Sequence, residues 1–257
     1  MANEEFTDPA LAALYDTLNS AGPRDDFAFY LPLVMSAEAV LDVGCGTGTL
    51  LHEARRAGHT GRLVGLDPAP GMLEIARGRT DIQWMLGGLG SAAWDREFDL
   101  IVMSGHAFQV FLEDDELRSA LRAIRDALQP GGRFAFETRN PAVRAWEGWH
   151  EEYSSEVRDA DGGTVRTVCE VETPVTGDRV SFTHTYTGPA WPTPRVSRST
   201  LRFLAPEALA SYLTEAGLVT VDQYGDWDRT PLTSVSPEII TVAVRQPELP
   251  GSTKPFS

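Results

Sequence analysis

A chain of 257 residues with 22 Lys and Arg against 37 Asp and Glu has a net charge of −15. So acidic a surface repels polyphosphate, which argues against DNA, RNA and anionic membranes as partners. The length suits one α/β domain with an insertion, and Cys45 and Cys169 form neither a CxxC pair nor a Cys/His cluster, so no metal site is expected. The acidic N-terminus has no apolar leader core and no run reaches membrane-span length, so a cytoplasmic protein is expected.

In chain order, "DPALAALYDTLN" (8–19) predicts a short amphipathic helix: Asp8 caps it, Pro9 suits the first turn, and leucines recur at positions 11, 14 and 18. "AGPR" (21–24) breaks it, and "DDFAFYLPLVM" (25–35) predicts a second helical segment interrupted by proline. Strands predicted at 38–43, 62–66, 82–86, 98–103 and 132–137 alternate with helices at 48–58, 70–79 and 114–128, and "QPGG" (129–132) stops the last helix. This alternation predicts a mostly parallel sheet covered on both faces.

After Asn140-Pro141 the pattern changes. In "VSFTHTY", Val180, Phe182, His184 and Tyr186 alternate with Ser181, Thr183 and Thr185, which gives one apolar strand face. Strand-like runs fill 152–204 without helices between them, and "DADGG" and "VTGD" supply turns, so a small antiparallel sheet is expected as an insertion. The α/β pattern resumes with a helix in "APEALASYLTEAGL" and strands in "VTVDQYGDW" and "EIITVAV". The tail "QPELPGSTKPFS" reads as flexible.

The chemistry concentrates in "VLDVGCGTGTL" (40–50), where Gly44, Gly46 and Gly48 follow the first strand and open a helix. Without Cβ atoms the backbone turns sharply and a ligand can lie against it. The helix start offers free N–H groups to a carboxylate or phosphate. The dinucleotide frame G-x-G-x-x-G fails, because Thr49 stands three residues past Gly46 and Leu51 three past Gly48. That argues against a nicotinamide dehydrogenase; the frame that fits is acid-x-G-x-G-x-G, with Asp42 as the acid. Asp67 ends the next strand, where an acid accepts both hydrogens of a ribose diol and also caps the following helix. Cys45 reads as a small packed residue. His106, in "SGHAFQVF", lies beyond the fourth strand, where open α/β sheets bind ligands. It reads as a base, a substrate-positioning group or a locally bonded loop residue.

In order and spacing, "VLDVGCGTGTL", "GLDPAPGMLEIAR", "FDLIVMS" and "LQPGGRFAFE" resemble the class I S-adenosylmethionine-dependent methyltransferases. The resemblance covers 10–140 well and 205–245 loosely. It implies a Rossmann-like seven-stranded, mostly parallel sheet with the last strand antiparallel. It also implies S-adenosyl-L-methionine as cofactor, with S-adenosyl-L-homocysteine as product. By this likeness Gly44 and Gly46 back the methionyl part, with Asp42, Cys45 and Ser104 beside it. Asp67 would hold the ribose, and Pro68 and Met72 would flank the adenine. Where the family usually places an Asp after the third strand, this chain has Gly88 and Leu89, so that the Leu89 backbone is left to meet the adenine edge. "LYDTLN" resembles the N-terminal lid of small-molecule members, including the sugar N-methyltransferases. This implies that Tyr15 closes over the cofactor, followed by Phe27 and Tyr30. In those enzymes the place of His106 orients the substrate.

Glu137, Arg139 and Asn140 line the opposite side of the crevice in this topology, and Asn140-Pro141 also reads as a simple turn. From the inserted sheet and its approach, Trp146, Trp149, His184, Tyr186, Arg198 and Arg202 are candidates to face a substrate. Arg198 and Arg202 share one strand face by period two and hint at an anionic substrate group. The division expected is a helical lid over 1–36, a cofactor domain over 37–140 and 205–246, a β cap over 141–204 and a flexible tail over 247–257. The favoured reading is direct displacement of a methyl group onto N or O of a small-molecule acceptor. The alternative is a catalytically silent cofactor-binding interaction module on the same fold.

Overall fold

A computed structural model describes residues 6, 8–19, 25–159 and 161–246. The "AGPR" break and the tail from 247 lie outside them. The elements in order are α1 (Pro9–Asn19), α2 (Asp25–Met35), β1 (Ala39–Val43), α3 (Thr49–Arg56), β2 (Arg62–Asp67), α4 (Pro70–Ala76), β3 (Gln83–Leu86), β4 (Phe98–Met103), α5 (Asp114–Ala127) and β5 (Leu128–Arg139). There follow α6 (Trp149–Glu152), β6 (Ser155–Arg158), β7 (Thr164–Val171), β8 (Arg179–Thr187), β9 (Arg195–Arg202), α7 (Pro206–Glu215), β10 (Leu218–Tyr224) and β11 (Glu238–Arg245).

Seven strands form one sheet in the order β10-β11-β5-β4-β1-β2-β3, and β11 alone runs antiparallel to its neighbours. The central strands are apolar on both sides because both faces are covered. On one face Leu41, Val64, Ile101 and Phe134 meet Leu117, Leu121 and Ile124 of α5 and Leu209 and Leu213 of α7. On the other, Val40, Leu63, Leu100 and Val102 meet Phe29, Tyr30 and Val34 of α2 and Leu50 and Leu51 of α3. Each such side chain contributes about 1.5–3 kcal/mol through burial.

Two local expectations are corrected. The "QPGG" segment does not precede β5 but lies within it: Phe98 pairs with Leu128 and Leu100 with Arg133, so residues 129–132 bulge out of the ladder. Helix α2 runs unbroken through Pro32 because its apolar face is fixed in the core.

The remaining strands form a separate antiparallel sheet, β6-β7-β8-β9. Val180, Phe182 and Tyr186 are buried on the apolar face expected of β8, and Val180 and Phe182 pack with Trp149, Cys169 and Phe203. The sheet is tied to the main body by Arg202, whose guanidinium donates to Asp178 at 2.7 Å and to Asp114 of α5 at 2.8 Å. Gln109 adds a hydrogen bond to the Arg202 carbonyl at 3.0 Å.

Candidate active site

The carboxyl ends of β1, β2, β4 and β5 bring Asp42, Asp67, the Ser104–His106 turn and Glu137 to one end of the sheet. Gly46 lies in the left-handed region at φ 54°, and no heavy atom stands within 4 Å of where its Cβ would be. Its N–H donates to Asp67 Oδ2 at 2.9 Å, while the Ala69 N–H donates to Oδ1 at 2.8 Å. These bonds orient the Asp67 carboxylate and leave a lone pair on each oxygen for a diol. Gly48, also at positive φ, serves packing instead: the Trp84 ring occupies the place of its Cβ.

Asp42 is only 1% exposed, and its Oδ1 has no hydrogen-bond partner among the described residues. Burial, reinforced by Asp67 and Glu137, pushes its carboxyl up to about 8. An orphaned buried carboxylate oxygen costs roughly 1–3 kcal/mol until a donor arrives. The orphan, the open face of Gly46 and the two free lone pairs of Asp67 fit a ligand carrying an ammonium, a sulfonium and a ribose. S-adenosylmethionine carries all three.

A second cluster surrounds His106. This residue sits at φ 60°, a conformation costing a non-glycine residue about 1–2 kcal/mol. Its backbone N–H donates to Glu137 Oε1 at 2.6 Å, and Tyr30 donates its hydroxyl to Glu137 Oε2. The ring Nε2 stands 3.0 Å from both oxygens of Glu238. Burial and the Arg139 guanidinium push the His106 ring below the ordinary imidazole range, while burial pushes Glu238 up. Burial likewise raises Glu137. Burial and the guanidinium both disfavour a charged ring, and Nε2 and Glu238 stand close enough to share one hydrogen. Arg139 beside the cluster donates to Gln109 Oε1 at 3.1 Å and to the Tyr153 hydroxyl at 3.0 Å, and lies over the Trp149 ring.

Other residues singled out from the sequence take these places. Tyr15 and Met72 pack together with Ala12 and Ala69, so α1 lies on α4, and Asp16 of α1 accepts from the Thr47 hydroxyl at 2.7 Å. Pro68 is exposed at the approach to α4, and Phe27 packs on the α2 core. Tyr30 is wholly buried and bonded to Glu137. Cys45 is half-buried, its thiol raised by burial and by Asp42. Gly88 N–H donates to Ser91 Oγ at 3.1 Å, and Leu89 buries its side chain while its carbonyl accepts from Trp94 at 2.7 Å. Ser104 is half-buried where β4 turns into the His106 loop.

Four candidates are engaged in the fold itself. Asn140 holds the 231–237 loop through Thr233 and Ser236 carbonyls and caps its own turn through Ala142, which is the turn role. Trp149 is 1% exposed at the centre of the cap's core. Arg198 is on the surface, forked onto Glu172, and Arg202 is bound by Asp178 and Asp114, with its Nη1 unpartnered among the described residues. Register separates the other pair: Thr183 faces Arg198 and His184 faces Ser197, so His184 and Arg198 lie on opposite faces of the cap. His184 is on the aromatic side, between Phe182, Tyr186 and Tyr153. Sequence reading missed Glu238: nothing local marks it, since it reaches His106 only because β11 runs antiparallel and starts where the parallel strands end.

Comparison with known proteins agrees with this geometry. A family model described as a methyltransferase domain matches residues 40–132. The cypemycin N-terminal methyltransferase of a Streptomyces species is 33% identical over 111 residues, 42% of this chain and 44% of that protein. This chain therefore spans less than half of that relative's length. The 2-phytyl-1,4-naphtoquinone methyltransferase of Thermosynechococcus vestitus is 32% identical over 170 residues, 60% of this chain and 72% of that protein. Among solved structures, an S-adenosylmethionine-dependent methyltransferase from Clostridium acetobutylicum superposes with a TM-score of 0.73 at 18% identity, covering 92% of this chain and 98% of that one. A sugar N-methyltransferase from a Streptoalloteichus species gives 0.67 at 20% identity, covering 91% and 93%. No helix among the described residues is long and apolar enough to cross a membrane. With a relative matched over most of its length and the fold of solved methyltransferases around the glycine loop, the chain belongs to the S-adenosylmethionine-dependent methyltransferases.

Proposed function

We propose that the protein transfers a methyl group from S-adenosylmethionine to a basic nitrogen of a small-molecule acceptor. The observation that carries this is the row of acids along the crevice: buried Asp42 and Asp67, then buried Glu137 and half-buried Glu238 on either side of His106. Buried carboxylates favour a cationic guest, and an amine enters as its ammonium. The names of two similar proteins, an N-terminal methyltransferase and a sugar N-methyltransferase, point the same way. When bound, the cofactor supplies an electrophilic methyl on a sulfonium.

The chain's own residues do the rest. Gly46 and Asp67 fix the nucleoside, and Asp42 pairs with the ammonium of the methionyl part. Helix α1, carrying Tyr15 and latched by Asp16 to Thr47, excludes water. His106 meets the acceptor nitrogen, and Glu137 and Glu238 hold its loop and ring so that the lone pair is aligned. The lid is α1 alone, with α2 belonging to the cofactor domain; 141–204 cap the acceptor side.

The test is a screen with methyl-labelled cofactor over amino sugars, peptides with free N-termini and hydroxylated aromatics. Label on nitrogen is expected. Label only on oxygen would replace nitrogen by oxygen as the acceptor atom. Cofactor binding without transfer to any acceptor would favour the silent binding module, and absence of cofactor binding would end the reading.

A further inference from the structure

Resting on the nitrogen-acceptor reading above, we propose that His106 and Glu238 form a proton relay that removes the acceptor's proton: it passes to His106 Nδ1 while the hydrogen on Nε2 passes to the Glu238 carboxylate. The geometry is specific. Nε2 is 3.0 Å from both Glu238 oxygens, whereas Nδ1 has no protein partner among the described residues. The loop cannot swing the ring away, because Glu137 holds the His106 N–H at 2.6 Å and is itself held by Tyr30.

The step balances. One N–H bond of the acceptor ammonium breaks and an Nδ1–H bond forms. The Nε2–H bond breaks and a Glu238 O–H bond forms. The acceptor becomes a neutral amine with a lone pair, Glu238 becomes a carboxylic acid, and the imidazole stays neutral as its other tautomer. When product release opens the crevice, the Nδ1 hydrogen leaves to water and Glu238 returns its proton to Nε2, which restores the starting tautomer.

A relay suits this site better than a base acting alone. Around the pair stand Glu137 and Arg139 from β5, Asp26 and Tyr30 from α2, Glu152 from α6 and Asp226 from the β10–β11 connection. Burial and Arg139 disfavour a charged ring, so an imidazolium is a poor resting place for the proton. Burial raises Glu238 to about 7, which makes it a competent acceptor near neutrality. In the relay Glu238 acts through His106, as a positioning and proton-accepting residue.

The test needs no acceptor at first. Imidazole 15N shifts of His106 are followed from about pH 5 to about pH 9 in the wild-type protein bound to S-adenosylhomocysteine. A neutral ring throughout is expected, hydrogen on Nε2 at high pH, with its tautomer shifting as Glu238 takes up a proton. Glu238→Gln should abolish that shift. Turnover with an acceptor from the screen should fall about 10²–10⁴-fold in Glu238→Gln and lose its acid limb, with Glu238→Asp recovering part. S-adenosylhomocysteine binding should be unchanged in both variants. An ordinary imidazolium titration of His106 in the wild type, or full turnover with an unaltered pH profile in Glu238→Gln, would overturn the relay. Failure of the wild type to bind S-adenosylhomocysteine, or methylation confined to oxygen, would instead overturn the reading on which it rests.

Discussion

Asp42 and Gly46 show how single residues carry ligand recognition at the expense of the empty fold. Asp42 keeps an oxygen unpartnered among the described residues, in a wholly buried place beside two other acids. Asp42→Asn removes the charge that burial disfavours, so it should raise the melting temperature of the ligand-free protein at about pH 8 while weakening S-adenosylhomocysteine by about 1–3 kcal/mol. Calorimetry and a thermal melt on the same sample check both; tighter binding in the variant would refute the assignment. Gly46→Val places a branched side chain in the open space beside Asp67 and forces it into a left-handed backbone. Loss of cofactor binding, with a fold that still melts cooperatively, is expected. Unchanged affinity would mean that the ligand lies elsewhere.

At the scale of elements, α1 and α2 are adjacent in sequence and different in standing. Helix α1 rests on α4 through Ala12, Tyr15 and Met72 and is latched by the Asp16–Thr47 bond. Helix α2 is built into the core through Phe29, Tyr30 and Val34. Hydrogen exchange in residues 8–19 should therefore slow when S-adenosylhomocysteine is added, while residues 25–35 exchange slowly in both states. Asp16→Ala should speed exchange in α1 and loosen the ligand without altering α2. Identical exchange of α1 with and without ligand would rule out a lid.

For the whole molecule, the buried acids make stability depend on pH in an unusual direction. Asp42 is raised to about 8, Glu238 to about 7, and Asp67 and Glu137 also lie above the usual carboxylate range. Each binds its proton more tightly folded than unfolded, so its contribution is present at low pH and is lost as pH rises through the folded value. His106 and His52, both depressed mainly by burial, act oppositely below about pH 6.5. Between about pH 6.5 and about pH 8.5 the melting temperature of the ligand-free protein should fall. The cofactor's positive groups should narrow that fall. A flat or rising profile would contradict the burial of these acids.

Much of this protein is determined by sequence alone. The alternation of apolar runs and amphipathic helices dictates a covered parallel sheet, and the period-two run at 180–186 dictates a second sheet with one apolar face. The acid-x-G-x-G-x-G frame and Asp67 mark the cofactor end, because they depend on local backbone freedom and on chemistry at strand ends. What lay beyond the sequence depended on pairing at long range. Register put Arg198 and His184 on opposite faces of the cap, and ion pairs with Glu172, Asp178 and Asp114 engaged both arginines. Tertiary packing turned a proline-containing segment into a core helix whose Tyr30 supports Glu137. Above all, the antiparallel return of β11 carried Glu238 to His106 across 132 positions of chain, since only the pairing of β11 with β5 brings the start of the last strand to the ends of the others.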